Sequence, residues 1–135
     1  MKTRTLVLSA ADAAVNGALI LMDTPLKHTI HYWNNTDDTI SWDCEIPQAG
    51  NYLIKLNYSL NNDLPGGLIQ ISVGDEAIEY ETPTTASWLH FDEFEAGQIS
   101  VKQAGPVRVE LKGLKLPIAN ETAFPDIHTV SLILN

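Results

Sequence analysis

The sequence predicts a single all-β domain over residues 1–135, an antiparallel β-sandwich of the jelly-roll type. Three observations predict it. Apolar and polar residues alternate along several short segments, turn residues separate those segments, and no long helical pattern occurs. The apolar fraction of 44% and the charged fraction of 19% are typical of a globular chain. A chain of 135 residues can bury a core without disulfides or a structural metal.

The clearest alternation lies in residues 51–58, where Tyr52, Ile54, Leu56 and Tyr58 share one face. This period of two is typical of a half-buried strand. Residues 68–73 and 107–112 alternate in the same way, and residues 10–15 form the only helix-like segment. The pattern predicts about ten strands among eleven candidate segments, near residues 5–9, 17–22, 28–33, 39–46, 51–59, 67–73, 76–82, 87–95, 98–102, 106–113 and 127–134.

Turn-forming residues separate these predicted strands. Glycine accepts a positive φ and proline fixes φ near the value that turns require. Such residues stand between the apolar runs at positions 47–50, 64–67, 74–75, 96–97 and 105–106. Short strands with this punctuation indicate a sandwich or a barrel.

The charge balance argues against two classes of partner. Eight basic residues face seventeen acidic ones, which gives a formal net charge of −9. A chain of this charge repels nucleic-acid phosphates and anionic lipids, so we expect no nucleic-acid partner. No apolar run reaches the ~20 residues of a spanning helix, so we expect no membrane partner. The single cysteine, Cys44, forms no internal disulfide and is interpreted as a small buried hydrophobe.

A resemblance to known modules begins at residues 31–42, which read HYWNNTDDTISW. Residues 46–52 follow as IPQAGNY, and matching segments recur at 71–74, 87–91 and 126–132. In order and spacing this set resembles galactose-binding-like jelly-roll modules. Among these modules, it is similar to carbohydrate-binding modules of family six and their relatives, and to accessory domains of secreted sulfatases and fucosidases.

The resemblance implies a non-catalytic module that binds carbohydrate at the loop end of the sandwich. In family-six modules a pyranose lies between an aromatic residue and a tryptophan, and an asparagine before the last strand bonds the sugar. The corresponding positions are Tyr32, Trp88 and Asp126. Asp126 replaces that asparagine, and His31 replaces the usual glycine before Tyr32.

The resemblance also bears on cofactors. Ala11 stands where these modules carry a glutamate that can bind structural calcium, and His128 stands at a later acidic ligand. Calcium prefers several oxygen ligands, which alanine and imidazole do not supply. We therefore expect no cofactor, and a structural calcium ion stays open as the alternative.

The chemistry of sugar binding selects the same region of the chain. A pyranose offers an apolar C–H face to an aromatic ring and a rim of hydroxyls to amides and carboxylates. The candidate ligand-binding residues are Tyr32, Trp33, Asn34, Trp88, Asn120 and Asp126. Tyr32 and Trp33 are adjacent in an extended segment, so one should be core and the other exposed. Trp42, within a predicted strand, should be core. For Trp88, a core position and a binding position both stay open.

No pattern predicts catalysis, so we expect no enzyme activity. Asp92 and Glu93 would point to opposite faces of a strand, whereas glycosidase carboxyls face each other across a cleft. The four histidines are too scattered for zinc. The rival hypotheses are a structural β-sandwich that packs against a glycan-active catalytic domain, and a small hydrolase. Carbohydrate and such a catalytic domain are the expected partners, at an extracellular or periplasmic location.

Overall fold

The computed structural model describes residues 5–17, 19–23, 28–31, 33–117 and 123–134. A short 3₁₀ helix, Ala10–Asp12, is the only helix within these residues. Eleven strands make up most of the remainder. They are β1 (Thr5–Ser9), β2 (Ala14–Asn16), β3 (Ile20–Asp23), β4 (His28–His31), β5 (Thr39–Ile46), β6 (Gly50–Ser59), β7 (Leu68–Val73), β8 (Glu76–Glu81), β9 (Asp92–Val101), β10 (Gly105–Lys115) and β11 (Asp126–Leu134).

The strands form two antiparallel sheets. The first has the order β3-β4-β11-β6-β9, and β1 also pairs with β11. The second has the order β2-β5-β10-β7-β8. Consecutive strands often lie in different sheets, as β5 and β6 do, so the chain crosses repeatedly between the two layers. This arrangement confirms the predicted all-β sandwich.

The core lies between the sheets and follows the predicted alternation. In β6 every second side chain from Tyr52 to Tyr58 is buried, and β7 shows the same pattern. Trp42 is buried as predicted, and its indole Nε1 donates a 2.8 Å hydrogen bond to the carbonyl oxygen of Ser9. Cys44 is partly buried against this core, and burial raises the pKa of its thiol.

Three predicted elements differ from the structure. The strands predicted at 87–95 and 98–102 are one strand, β9, because a bulge near Gly97 (φ 145°) carries the pairing past the expected turn. Residues 87–90 form a turn instead of a strand. Residues 10–15, predicted as helix-like, form the 3₁₀ helix and then the start of β2. The helix does not continue because β2 pairs with β5, which keeps the chain extended.

The two ends of the sandwich differ in the length of their connections. At the turn end, residues 47–49, 74–75 and 102–104 connect strands by short turns, and both Thr5 and Leu134 lie at this end. At the loop end, the described residues contain longer connections at 33–38, 60–67 and 82–91. Within the described residues, no helix is long and apolar enough to cross a membrane.

Candidate functional site

The central feature of the loop end is the Trp88 loop, residues 82–91, which leads from β8 in one sheet to β9 in the other. Its first residues are tied to the scaffold. The backbone N–H of Thr82 donates to the carbonyl oxygen of Gly67 at 2.9 Å. The hydroxyl of Tyr58 donates to the carbonyl oxygen of Pro83 at 2.6 Å. The loop therefore starts from a fixed position between both sheets.

Thr85 holds the middle of the loop. Its backbone N–H donates to the carbonyl oxygen of Leu60 at 2.8 Å, and the N–H of Leu60 donates to the Thr85 hydroxyl oxygen at 3.1 Å. The same hydroxyl lies 2.8 Å from the carbonyl oxygen of Ser87. Thr85 is buried, so these bonds are shielded from water and the loop is clamped to the end of β6.

The tip of the loop is a compact turn. The side-chain oxygen of Ser87 accepts a 3.1 Å hydrogen bond from the N–H of Leu89, and the N–H of His90 donates to the carbonyl oxygen of Ser87 at 3.1 Å. Trp88 lies within this turn and is partly buried against the core. Leu89 is 93% exposed. The loop thus presents one half-buried indole and one exposed leucine at the end of a rigid support.

Trp33 does not have the exposure that a ligand-binding ring needs. It is 1% exposed, and its ring centroid lies 4.8 Å from that of Phe124. The N–H of Phe124 also donates to the carbonyl oxygen of Trp33 at 2.7 Å. Trp33, one of the candidate ligand-binding residues, is therefore a core residue, and its ring has no face open to a ligand in this structure. Tyr32 lies outside the described residues.

Asn34 is exposed at the start of the 33–38 connection, where it is accessible to a ligand. Its neighbour Asn35 has a structural part. The Asn35 Oδ1 atom accepts hydrogen bonds from the N–H groups of Asp37 and Asp38, each at 2.9 Å, and Nδ2 donates to Asp38 Oδ2 at 2.9 Å. This asparagine turn shapes the connection and leaves Asn34 at its outer side.

Asp126 is the first residue of β11, opposite Ser59 of β6. It is 7% exposed, and burial raises the pKa of its carboxyl to about 7. A carboxyl with this pKa is partly protonated near neutral pH, and the protonated form can donate a hydrogen bond as an asparagine does. Asn120, the other candidate before β11, lies outside the described residues.

The carboxylates that were weighed as a glycosidase pair form part of a charged surface. Asp92 lies opposite Tyr58 and Glu93 opposite Asn57, so these two carboxylates point to opposite faces of β9, an edge strand. His90 pairs with Asp92 at 3.2 Å. In the part of the chain that the structure describes, no group of three His, Cys, Asp or Glu side chains could hold a metal ion.

Leu89 and the Thr85 clamp were not predicted from the sequence. One signal was present for each. A serine two residues before Leu89, at Ser87, is typical of a serine turn. The hydroxyls of the two threonines within the loop can form hydrogen bonds with backbone groups that lack a backbone partner. Neither signal states which side chain points outward, because that depends on the packing of the loop on β6.

Solved structures share this fold over nearly the whole chain. A family 35 carbohydrate-binding module from Clostridium thermocellum has a TM-score of 0.75 at 16% identity, covering 96% of this chain and 97% of its own. The C-terminal family 6 module of LamC, a marine laminarinase from Zobellia galactanivorans, has a TM-score of 0.76 at 19% identity, covering 98% and 100%. At these identities the likeness shows the fold alone, and it confirms the predicted jelly-roll sandwich.

The fold also occurs as one part of longer enzymes. A β-(1,4)-mannanase from Podospora anserina, in which a family 26 glycoside hydrolase is joined to a family 35 module, matches with a TM-score of 0.74 at 14% identity, over 97% of this chain and 28% of that protein. The comparison with curated proteins gives no match. A family model described as a domain of unknown function (DUF5077) matches residues 23–133, which is most of the chain. The chain therefore belongs to this family.

Proposed function

We propose that this domain is a non-catalytic carbohydrate-binding module that holds a glycan at the loop end of its sandwich. The observation that carries the proposal is the Trp88 loop, which holds Trp88 and Leu89 in a fixed turn at the tip of a rigid scaffold. The likeness of the fold to carbohydrate-binding modules supports it. A jelly roll alone supports no ligand, because unrelated functions share one fold.

In this proposal the indole of Trp88 packs on the C–H face of a pyranose, and polar groups around it contact the hydroxyls. Tyr32 is the second aromatic residue, and Asn34, Asn120 and Asp126 supply the polar contacts. A shallow site of this kind binds weakly, with a dissociation constant between about 1 μM and 1 mM, because ordering the ligand offsets much of the contact energy. Glycans of this kind are met outside the cytoplasm, so the proposal includes an extracellular or periplasmic location.

The test is glycan binding by Trp88 variants. Trp88→Ala removes the ring but also part of the packing against the core, so Trp88→Leu is the better variant because it keeps apolar volume and loses the flat ring. We expect Trp88→Leu to lose binding at least tenfold on a glycan array and in calorimetry, while its thermal unfolding stays cooperative. Full binding by a folded Trp88→Leu variant would contradict the proposal.

A second candidate is a structural role, in which the domain packs against a glycan-active catalytic domain and has no ligand of its own. The burial of Trp33 and of Asp126 favours it, because two predicted contact residues are largely withdrawn from the surface. The mannanase that contains this fold as 28% of its chain shows such a combination in another protein. A glycan array that is negative with and without calcium supports this candidate over the first.

A further inference from the structure

Leu89 has an exposure that the fold itself does not explain. Leu89 is 93% exposed. Val7, at 56%, is the next most exposed of the large hydrophobic residues that the structure describes. Its backbone N–H is bonded to the Ser87 side chain, so its outward position belongs to an ordered turn. A leucine in this position contributes no burial energy to folding, and it gains that energy only when another molecule covers it.

Single exposed apolar residues are common on protein surfaces. Leu89 differs because it adjoins the half-buried Trp88 and shares its turn. Consecutive Cα atoms lie about 3.8 Å apart, which is less than the width of one sugar ring. Leu89 is therefore within reach of a chain of sugars that covers Trp88.

The charges around the Trp88 loop restrict the ligand that can cover Leu89. Glu81 directly precedes the loop, Asp92 directly follows it, and Asp63 lies on the 60–67 connection to which the loop is hydrogen-bonded. The imidazole of His90 is paired with Asp92. Lys115 ends β10, two strands across from Glu81. Among the described residues at this place carboxylates thus outnumber cations, and they disfavour uronate or sulfated glycans and anionic lipid surfaces.

We infer that Leu89 is a second ligand-contacting residue of the loop-end site, where it packs on the C–H surface of an uncharged glycan next to the ring held by Trp88. The inference rests on the proposed function and deepens it by naming a further contact residue and the charge class of the ligand. Because Leu89 is so exposed, it can be changed without loss of core packing, whereas Trp88 is partly buried against the core.

The experiment is calorimetric titration of the whole chain with laminarin, β-1,4-mannan oligosaccharides, β-1,3-galactan oligosaccharides and dextran, and with polygalacturonate as the anionic probe, at low and moderate salt. We expect Leu89→Ser to weaken binding of the neutral glycan about tenfold. Leu89→Met should bind nearly as the parent does. Val7→Ser, a change at an exposed position of β1, is the matched control and should leave affinity unchanged. All three variants should keep the parent's unfolding midpoint.

The outcomes separate this inference from the proposed function. If the parent binds a neutral glycan and Leu89→Ser binds it equally well, the contact role of Leu89 is overturned and the proposed function stands. If polygalacturonate binds as tightly as the neutral glycan at low salt, the charge class is overturned. If the parent binds none of the probes, the proposed function fails, and the inference fails with it.

Discussion

The hydroxyl of Tyr58 donates a 2.6 Å hydrogen bond to the carbonyl oxygen of Pro83, and this bond joins the internal strand β6 to the base of the Trp88 loop. The Tyr58 ring stacks on Phe94 with centroids 4.8 Å apart. Burial raises the pKa of the Tyr58 hydroxyl, which therefore remains a donor at all ordinary pH values. Tyr58 is a core residue whose polar end positions the candidate site.

Replacing Tyr58 with phenylalanine should keep the stack on Phe94 and remove this anchor. We expect the free energy of unfolding to fall by about 1–2 kcal/mol, because the partly buried hydrogen bond to the carbonyl oxygen of Pro83 loses its donor. Glycan affinity should fall as well, since the loop is less fixed. Chemical denaturation and calorimetric titration measure the two effects.

The matched control is Tyr52→Phe, which removes a hydroxyl that donates to the carbonyl oxygen of Gln48 at the turn end. It should cost a similar free energy of unfolding and leave glycan affinity unchanged. Equal losses of affinity in both variants would show that general destabilisation, and not the anchor at Pro83, controls binding.

Thr85→Val should loosen the Trp88 loop without unfolding the domain. The change removes a buried hydroxyl that bridges Leu60 and Ser87, and we expect a loss of about 1–2 kcal/mol in the free energy of unfolding. Amide exchange of residues 85–89 should become faster. Thr84→Val is the control, because the structure shows no side-chain hydrogen bond for Thr84. Unchanged exchange in Thr85→Val would exclude the clamp.

Asp126 should make the domain less stable as the pH rises from about 4 to about 7. Burial raises its folded-state pKa to about 7, so the native state holds a proton that the unfolded chain releases near pH 4. The resulting stability is fully present below the unfolded pKa and is lost on rising through the folded pKa, at about 1.4 kcal/mol per pH unit within that window.

Denaturation curves between pH 4 and pH 8 measure this effect. Asp126→Asn should remove the slope, because the amide does not titrate. Asp63→Asn, at an exposed position of the 60–67 connection, should keep it. A parent whose stability rises over this pH interval would contradict the assignment of a raised pKa to Asp126.

Gly113 is predicted to tolerate no side chain. A Cβ atom there would lie 2.1 Å from Cε2 of Phe124, whose ring packs on Trp33. Gly113→Ala should therefore cost about 1–3 kcal/mol of unfolding free energy through overpacking. In the double variant with Phe124→Leu, which removes the clashing ring atoms, the two costs should sum to less than their separate values. Strict additivity would mean that the clash does not occur.

The fold could be predicted because its strands carry the period of two and because turn residues separate them. Trp42 was correctly predicted as core for that reason. The site was harder to predict. The alternation requires one of Tyr32 and Trp33 to be buried but does not say which, and the contact with Phe124, 91 residues away, decides it. The burial of Asp126 likewise depends on β6 and on the residues around it, which the local sequence does not describe.

Both ends of the described chain, Thr5 on β1 and Leu134 on β11, lie at the pole opposite the Trp88 loop. Anything attached at either end, whether a surface tether, a fluorescent tag or a neighbouring domain, would leave from the far side and keep clear of an approaching polymer. A molecule immobilised by its terminus would point its candidate site towards the solution. Binding assays on a surface can therefore use either terminus for attachment.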